Sequence, residues 1–161
     1  MNFAIIGATG NVGLKTIDIL KKSKLRIDNL FLVASKKSAG KKISFKKKKI
    51  KIISLENYDF SKAQITFFAA GSSIAKKWAP IAAKKTIVID NSNYFRMHKD
   101  ISLVVPEVNE KVLINYKKTN IIANPNCSTT QLVVALKPLH DKFKIKSYLF
   151  SKIFRFNFFT I

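Results

Sequence analysis

The chain has 161 residues, enough for one domain with its own core. Of these, 47% are hydrophobic and 24% charged, a balance that excludes disordered and fibrous classes. Thirty Lys and Arg oppose nine Asp and Glu, a formal net charge of +21, and no apolar run approaches the ~18 residues of a membrane span.

The order of elements is strand, glycine turn, helix, strand, repeated with variations, which predicts a parallel sheet with crossover helices. Asn2–Ile6 is a short apolar run ending at glycine and is expected as a buried strand. Val12–Lys22 places Val12, Ile17, Ile19 and Leu20 among lysines and is expected as a helix. Leu30–Ala34 reads as the second strand. The lysine-rich stretch 35–51 reads as a loop leading into a basic edge hairpin around Ile43–Phe45 and Ile50–Ile53. Ile65–Ala69 and Thr86–Asp90 read as strands on either side of a helix at Ile74–Lys85. Leu103–Val105 and Asn120–Ala123 are short strands with a helix over Asn109–Lys118 between them. Ser128–Leu136 is a helix, with Ser128 and Thr129 as N-cap types and Pro138 kinking or ending it.

Two segments carry chemistry. Gly7-Ala8-Thr9-Gly10-Asn11-Val12-Gly13 lies between the first strand and the first helix. There, glycines permit a tight turn and close backbone approach, and the helix start offers free N–H groups and positive dipole to a dinucleotide pyrophosphate. The G-x-x-G-x-x-G spacing is a variant of the usual fingerprint. An NAD site places a carboxylate at the end of the second strand, about 20 residues on, to grip the ribose. Here that position reads Ala34-Ser35-Lys36-Lys37-Ser38, with no carboxylate between Asp28 and Glu56. Ser35 and Ser38 can hydrogen-bond and Lys36 or Lys37 can neutralise a 2′-phosphate, so NADP is the expected cofactor.

The second segment is Asn124-Pro125-Asn126-Cys127-Ser128-Thr129. Cys127 is the sole cysteine, so it forms no internal disulfide, and no Cys/His cluster suggests a metal. It falls in a turn immediately ahead of a helix, where free N–H groups favour a thiolate and can hold an oxyanion. A thiolate near a nicotinamide points to aldehyde chemistry through a thiohemiacetal and a thioester.

The stretches Gly7–Gly13 (GATGNVG), Ser35–Gly40 (SKKSAG), Phe68–Ser73 (FAAGSS), Asp90–Arg96 (DNSNYFR), Val105–Asn109 (VPEVN) and Asn124–Thr129 (NPNCST) occur in one order and at one spacing. In this the sequence resembles the aspartate-β-semialdehyde dehydrogenase family over Met1 to about Lys146. N-acetyl-γ-glutamyl-phosphate reductases share the first motif and a cysteine but not usually DNSNYFR followed by VPEVN, and are the alternative. The resemblance implies a Rossmann-type NAD(P)-binding domain and NADPH-dependent reduction of L-aspartyl-4-phosphate to the semialdehyde, a step toward lysine, threonine and methionine. It implies that Cys127 carries the acyl group and that Asn126 positions the substrate. It also implies that Arg96 binds phosphate, and that Gly71 and Ser72 line the cofactor channel. The family is homodimeric.

The sequence departs from the family after Lys146. The second domain, which supplies the acid/base histidine, the carboxylate-binding arginine and most of the dimer interface, has no counterpart. His98 and His140 do not match that base and read as surface residues. Residues 1–146 are thus expected as the NADP-binding domain and 147–161 as an aberrant tail, the mark of a frameshift or gene fragment. The tail holds Phe150, Phe154, Phe156, Phe158 and Phe159 and no carboxylate, and as a strand it would invite aggregation. On this reading the chain is inactive on its own.

The start, Met1–Gly7, has no basic n-region and meets glycine too early for a signal peptide, so a cytoplasmic location without membrane association is expected. A field of +21 draws phosphates and nucleic acid. The excess, however, runs to Lys, Ile, Asn and Phe with three arginines only, as in AT-rich coding sequence. Lysine is therefore read as ordinary surface, and a basic nucleic-acid-binding module stays an alternative that is not favoured.

Overall fold

The computed structural model describes residues 1–146, so the readings of the tail at 147–161 lie outside the described residues. The strands are β1 (Asn2–Ile6), β2 (Asn29–Ala34), β3 (Lys42–Phe45), β4 (Lys48–Ser54), β5 (Ile65–Phe68), β6 (Ile87–Asp90), β7 (Ser102–Leu103) and β8 (Ile121–Ala123). They form one sheet in the order β3-β4-β2-β1-β5-β6-β8-β7. Every neighbouring pair is parallel except β3 with β4.

Side-chain alternation along β1 explains the two layers of core. Phe3 and Ile5 join Leu30, Leu32 and Ala34 of β2 on one face, where helix α1 (Asn11–Lys22) packs Ile17 and Leu20. Ala4 and Ile6 join Phe68 and Val88 on the other face, where helix α2 (Ser72–Ala83) packs Ala75, Ala79, Ala82 and Ala83. Alanines let α2 lie close to the sheet, and each large side chain such as Phe68 or Ile5 that is fully buried contributes about 1.5–3 kcal/mol. The opposite faces follow from connection handedness. The chain leaves β1 toward β2 in one direction and returns past β1 to β5 in the other, and right-handed crossovers then place α1 and α2 on opposite sides. Between β1 and β5 the strand order reverses, and a crevice opens at their carboxyl ends.

The basic hairpin forms as expected but is built into the sheet: β4 runs parallel to β2, with Ala34 opposite Ser54, and β3 is the edge. Its register sets Lys42 directly opposite Lys51 on the exposed surface. Three expectations are corrected. Residues 109–118 are not an α-helix; a short helix α3 (Pro106–Asn109) gives way to 3₁₀ turns over Glu110–Lys118. Asn109 breaks the run, because its side chain accepts from Val105 N–H at 2.8 Å and donates to the Leu103 carbonyl at 2.9 Å. The last helix, α4, spans Cys127–Phe143 and passes through Pro138, whose missing N–H orphans only the carbonyl of exposed Val134. Its cap is Asn126, not Ser128 or Thr129.

The tightest backbone approach joins β1 to α1. A Cβ on Gly13 would stand 2.2 Å from the Gly7 carbonyl oxygen and 2.9 Å from the Cα of Ala8. Gly7 itself has φ +85, and its Cβ would meet the Ala69 carbonyl at 2.7 Å. Elsewhere, Asp59 accepts from the Ser61 N–H at 3.0 Å and hydroxyl at 2.8 Å and faces Lys85 at 3.3 Å. These contacts, the Ser61 N–H first, hold its carboxyl down at about 2.

Two outcomes follow. In urea titrations Gly13→Ala loses more than about 3 kcal/mol, whereas Gly40→Ala, with φ +86 but open space around it, loses only about 1–2 kcal/mol of left-handed strain; equal losses would remove the close-approach account. Because the folded-state value of Asp59 lies below the ordinary one, its contribution is complete above about pH 4 and fades as pH falls toward 2. The melting-temperature advantage of the parent over Asp59→Asn at neutral pH therefore vanishes at that acid end.

Candidate active site

Seven strands run parallel and leave their carboxyl ends at one edge of the sheet, and the candidate residues lie on the loops after β1, β2, β5, β6 and β8. The loop after β1 holds Gly7, Thr9, Gly10, Asn11, Val12 and Gly13. Gly7 and Ala8 donate N–H groups to the Val33 carbonyl at 2.8 and 3.1 Å, and Gly10 N–H closes back on the Gly7 carbonyl at 3.0 Å. The loop is thereby tied to β2, while Thr9, Gly10, Asn11 and Val12 face solvent at the start of α1. First-turn N–H groups have no intrahelical partner, and no acidic residue occupies that turn. With no Cβ at Gly7 or Gly13 to fill the cradle, these residues fit a dinucleotide pyrophosphate.

Ser35, Lys36 and Ser38 lie at the end of β2, where residues 36–38 form a 3₁₀ turn; Ser35 and Lys36 are exposed and Ser38 half-buried. The pairing of β4 with β2 brings one carboxylate to this end that a linear reading passes over. Glu56 accepts from the Ser54 hydroxyl at 3.1 Å. Its own backbone N–H and that hydroxyl hold it below the usual carboxylate range, with Lys36 among the charges that help. Gly71 (φ +83) caps α2 on the loop after β5, and Ser72 donates to the Asn93 side chain. That loop touches the first one, since Ala69 and Ala70 are the atoms a Gly7 Cβ would strike.

Cys127 is exposed and is the first residue of α4 rather than part of the preceding turn. Asn126 shapes its surroundings: the Asn126 Oδ1 accepts from Ser128 N–H at 3.0 Å, from the Ser128 hydroxyl at 2.7 Å and from the Cys127 thiol at 3.6 Å. Strand spacing gives the reach required of a cofactor. Three intervals, β1 to β5 to β6 to β8, separate the glycine loop from the cysteine turn, about 14 Å at the usual inter-strand distance.

Arg96 stands beside that turn, but its guanidinium is engaged with the protein. Its Nε donates to the Asn124 carbonyl at 2.9 Å and its Nη2 to the Asn91 carbonyl at 3.1 Å, which commits two of its five donors. The Asn124 amide donates to Asn91 Oδ1 at 2.6 Å, and the Asn124 N–H to the Asp90 carbonyl at 2.8 Å. Beneath them Asp90 is fully buried, accepting from the Ser92 hydroxyl at 2.6 Å through Oδ2 while Oδ1 has no partner. Burial raises its carboxyl above the ordinary range, against the Ser92 hydrogen bonds and the Arg96 charge. The sequence marks the runs Asp90–Arg96 and Asn124–Thr129 but gives Asp90, Asn91 and Asn124 no individual role; polar residues at two strand ends are the available signal.

His98 is exposed, with its ring 5.1 Å from that of Tyr94. His140 lies on an open apolar groove of about 450 Å³ along the far part of α4, lined also by Val108, Val133 and Leu136. This groove shares no residue with the glycine loop or the cysteine turn. No helix among the described residues is long and apolar enough to cross a membrane.

Residues 2–116 match the family described as semialdehyde dehydrogenase, NAD binding domain. An aspartate-semialdehyde dehydrogenase of Shewanella sp. (strain DB6705) is 48% identical over 145 residues, covering 89% of this chain and 43% of that relative. The crystal structure of aspartate semialdehyde dehydrogenase II from Vibrio cholerae, complexed with ASA, superposes with a TM-score of 0.85 at 48% identity, over 87% of this chain and 46% of that one. The aspartate semialdehyde dehydrogenase of Candida albicans, solved with NADP, superposes with a TM-score of 0.71 at 28% identity, over 88% and 47% of the two chains. The chain thus spans less than half the length of the relatives it matches. A parallel sheet, a glycine cradle at its strand-order reversal and a match over residues 2–116 give one conclusion: this chain belongs to the semialdehyde dehydrogenase family, within its NAD-binding domain.

Proposed function

We propose that this chain supplies the cofactor site and the nucleophile for NADPH-dependent reduction of L-aspartyl-4-phosphate to aspartate 4-semialdehyde. The observation that carries the reading is the shared edge: the Gly7–Gly13 loop and Cys127 both leave carboxyl ends of one parallel sheet, with only β5 and β6 between their strands. The names of the relatives supply the substrate, and the structure with NADP, together with Ser35, Lys36 and Ser38, supports the phosphorylated cofactor.

In this mechanism the Cys127 thiolate attacks the acyl phosphate carbon, an S–C bond forms, and the C–O bond to phosphate breaks. Free N–H groups at the start of α4 face the oxyanion that develops. Asn126 holds the substrate, and the unused donors of Arg96 receive the phosphate. When held at the Gly7–Gly13 loop, NADPH would supply hydride to the resulting thioester, giving a thiohemiacetal on Cys127. The thiohemiacetal then collapses, releasing the aldehyde and returning the electron pair to sulfur. Gly71 and Ser72 flank the path of the cofactor. An acid/base group is still required: His140 lies on a separate groove, and loss of such a group removes ~10²–10⁴ of rate. Residues 1–146 act as the NADP-binding domain, in the cytoplasm; the family resemblance implies a homodimer whose interface comes mostly from the second domain.

Thermal melting tests the cofactor half. NADPH at 100 times its Kd stabilises the chain by about 2.7 kcal/mol, NADH at the same concentration stabilises it less, and Lys36→Glu with Lys37→Glu abolishes the difference; no response to either nucleotide would overturn the proposal. The nucleophile half is read by mass spectrometry: iodoacetamide adds one carbamidomethyl group, at Cys127, and NADPH slows the addition. The isolated chain shows phosphate-dependent semialdehyde oxidation at or near background.

A further inference from the structure

We infer that Arg96 and Asn91 form a latch that sets the position of Cys127, making Arg96 a positioning residue for the thiol as well as a phosphate ligand. The inference deepens the reading of Cys127 as the nucleophile and rests on it.

The need for a latch comes from α4. A helix on a domain surface ordinarily holds its place by burying an apolar stripe, yet none of the seventeen residues of α4 is buried. Leu139 and Phe143 are exposed, as is Val134. Its apolar seat is half-buried Leu132, Val133 and Leu136, more than a turn beyond Cys127, so the placement of the first residue itself falls to the connection at the N-terminal end.

That connection is densely bonded. The Arg96 guanidinium bridges two loop carbonyls, Asn124 after β8 and Asn91 after β6, at 2.9 and 3.1 Å. The Asn91–Asn124 side-chain bond at 2.6 Å closes the ring. Arg96 follows buried Phe95, and its turn is tied down by the Tyr94 N–H to Ser92 and by Ser92 to Asp90. Only Pro125 and Asn126 separate Asn124 from Cys127. Pro125 is buried with its φ held by the ring, and Asn126 is pinned through its side chain to Ser128. Few free torsions remain, so a displacement of the Asn124 carbonyl passes directly to the sulfur. The planar fork of an arginine spans two acceptors at once, and a lysine ammonium on its flexible stem does not reproduce that geometry.

The sole cysteine makes the test direct. A nitroxide attached to Cys127 reports local order by electron paramagnetic resonance, and the protection that NADPH gives Cys127 against iodoacetamide reports its alignment with the cofactor. Arg96→Lys and Asn91→Ala each mobilise the nitroxide and reduce NADPH protection about tenfold, the scale of one lost charge-assisted hydrogen bond. The NADPH Kd stays within about twofold, as expected for a glycine loop several strands away. The double variant is no worse than Arg96→Lys alone, and millimolar guanidinium restores order to Arg96→Gly where ammonium does not. Unchanged nitroxide mobility and protection would overturn the latch, as would their loss only together with NADPH affinity and global melting. If the parent chain binds no NADPH, the proposed function fails, while nitroxide mobility still decides the latch.

Discussion

The contact on which the architecture turns is the one between the Gly13 Cα and the Gly7 carbonyl. No side chain fits between them, and because none is present α1 can begin directly over the end of β1. The N–H groups of its first turn then open onto the crevice between β1 and β5 instead of being pushed aside. The same economy of atoms at Gly7 lets the loop after β5 close in from the other side. A cofactor site therefore arises from backbone approach, with polar side chains contributing only at its rim.

The two ends of the site are held by different physics. At the glycine loop, burial on both faces of β1 fixes the strand, and the helix follows from its packed Ile17 and Leu20. At the cysteine turn, hydrogen bonds among Asn91, Arg96, Asn124 and Asp90 fix the loop, and the helix beyond it only half-buries Leu132, Val133 and Leu136. Hydrophobic burial is non-directional, whereas hydrogen bonds specify angle. The second arrangement suits a reacting atom whose orientation matters more than the stability of the element carrying it.

Much of this was legible in the linear sequence. The apolar run at Asn2–Ile6 with glycine after it, the polar break at Asn124–Thr129, and the alternation of strands and helices were enough for a parallel sheet with both loops on one edge. Residues 109–118 were not legible as 3₁₀ turns because their spacing suits a helix; the side-chain bonds of Asn109 decide the matter and depend on where β7 ends. The true cap of α4 is obscured by three capping types within four residues, Asn126, Ser128 and Thr129 around a cysteine, of which geometry selects the first. Glu56 was invisible as a neighbour of Lys36 because twenty residues separate them, and only the β2–β4 pairing brings them together. Arg96 was read as a phosphate ligand from its family motif, and nothing in the sequence announces that two backbone carbonyls hold its fork.

The edge strand β3 bears on how this molecule meets copies of itself. An unpaired strand edge is a template for another strand, but here Lys42 stands opposite Lys51 and Lys41, Lys46, Lys47, Lys48 and Lys49 crowd the same ribbon. Two such ribbons approaching edge to edge would stack like charges with no carboxylate between them. Lengthwise sheet growth is thus blocked at this border by mutual repulsion, leaving the sheet to end where the hairpin ends.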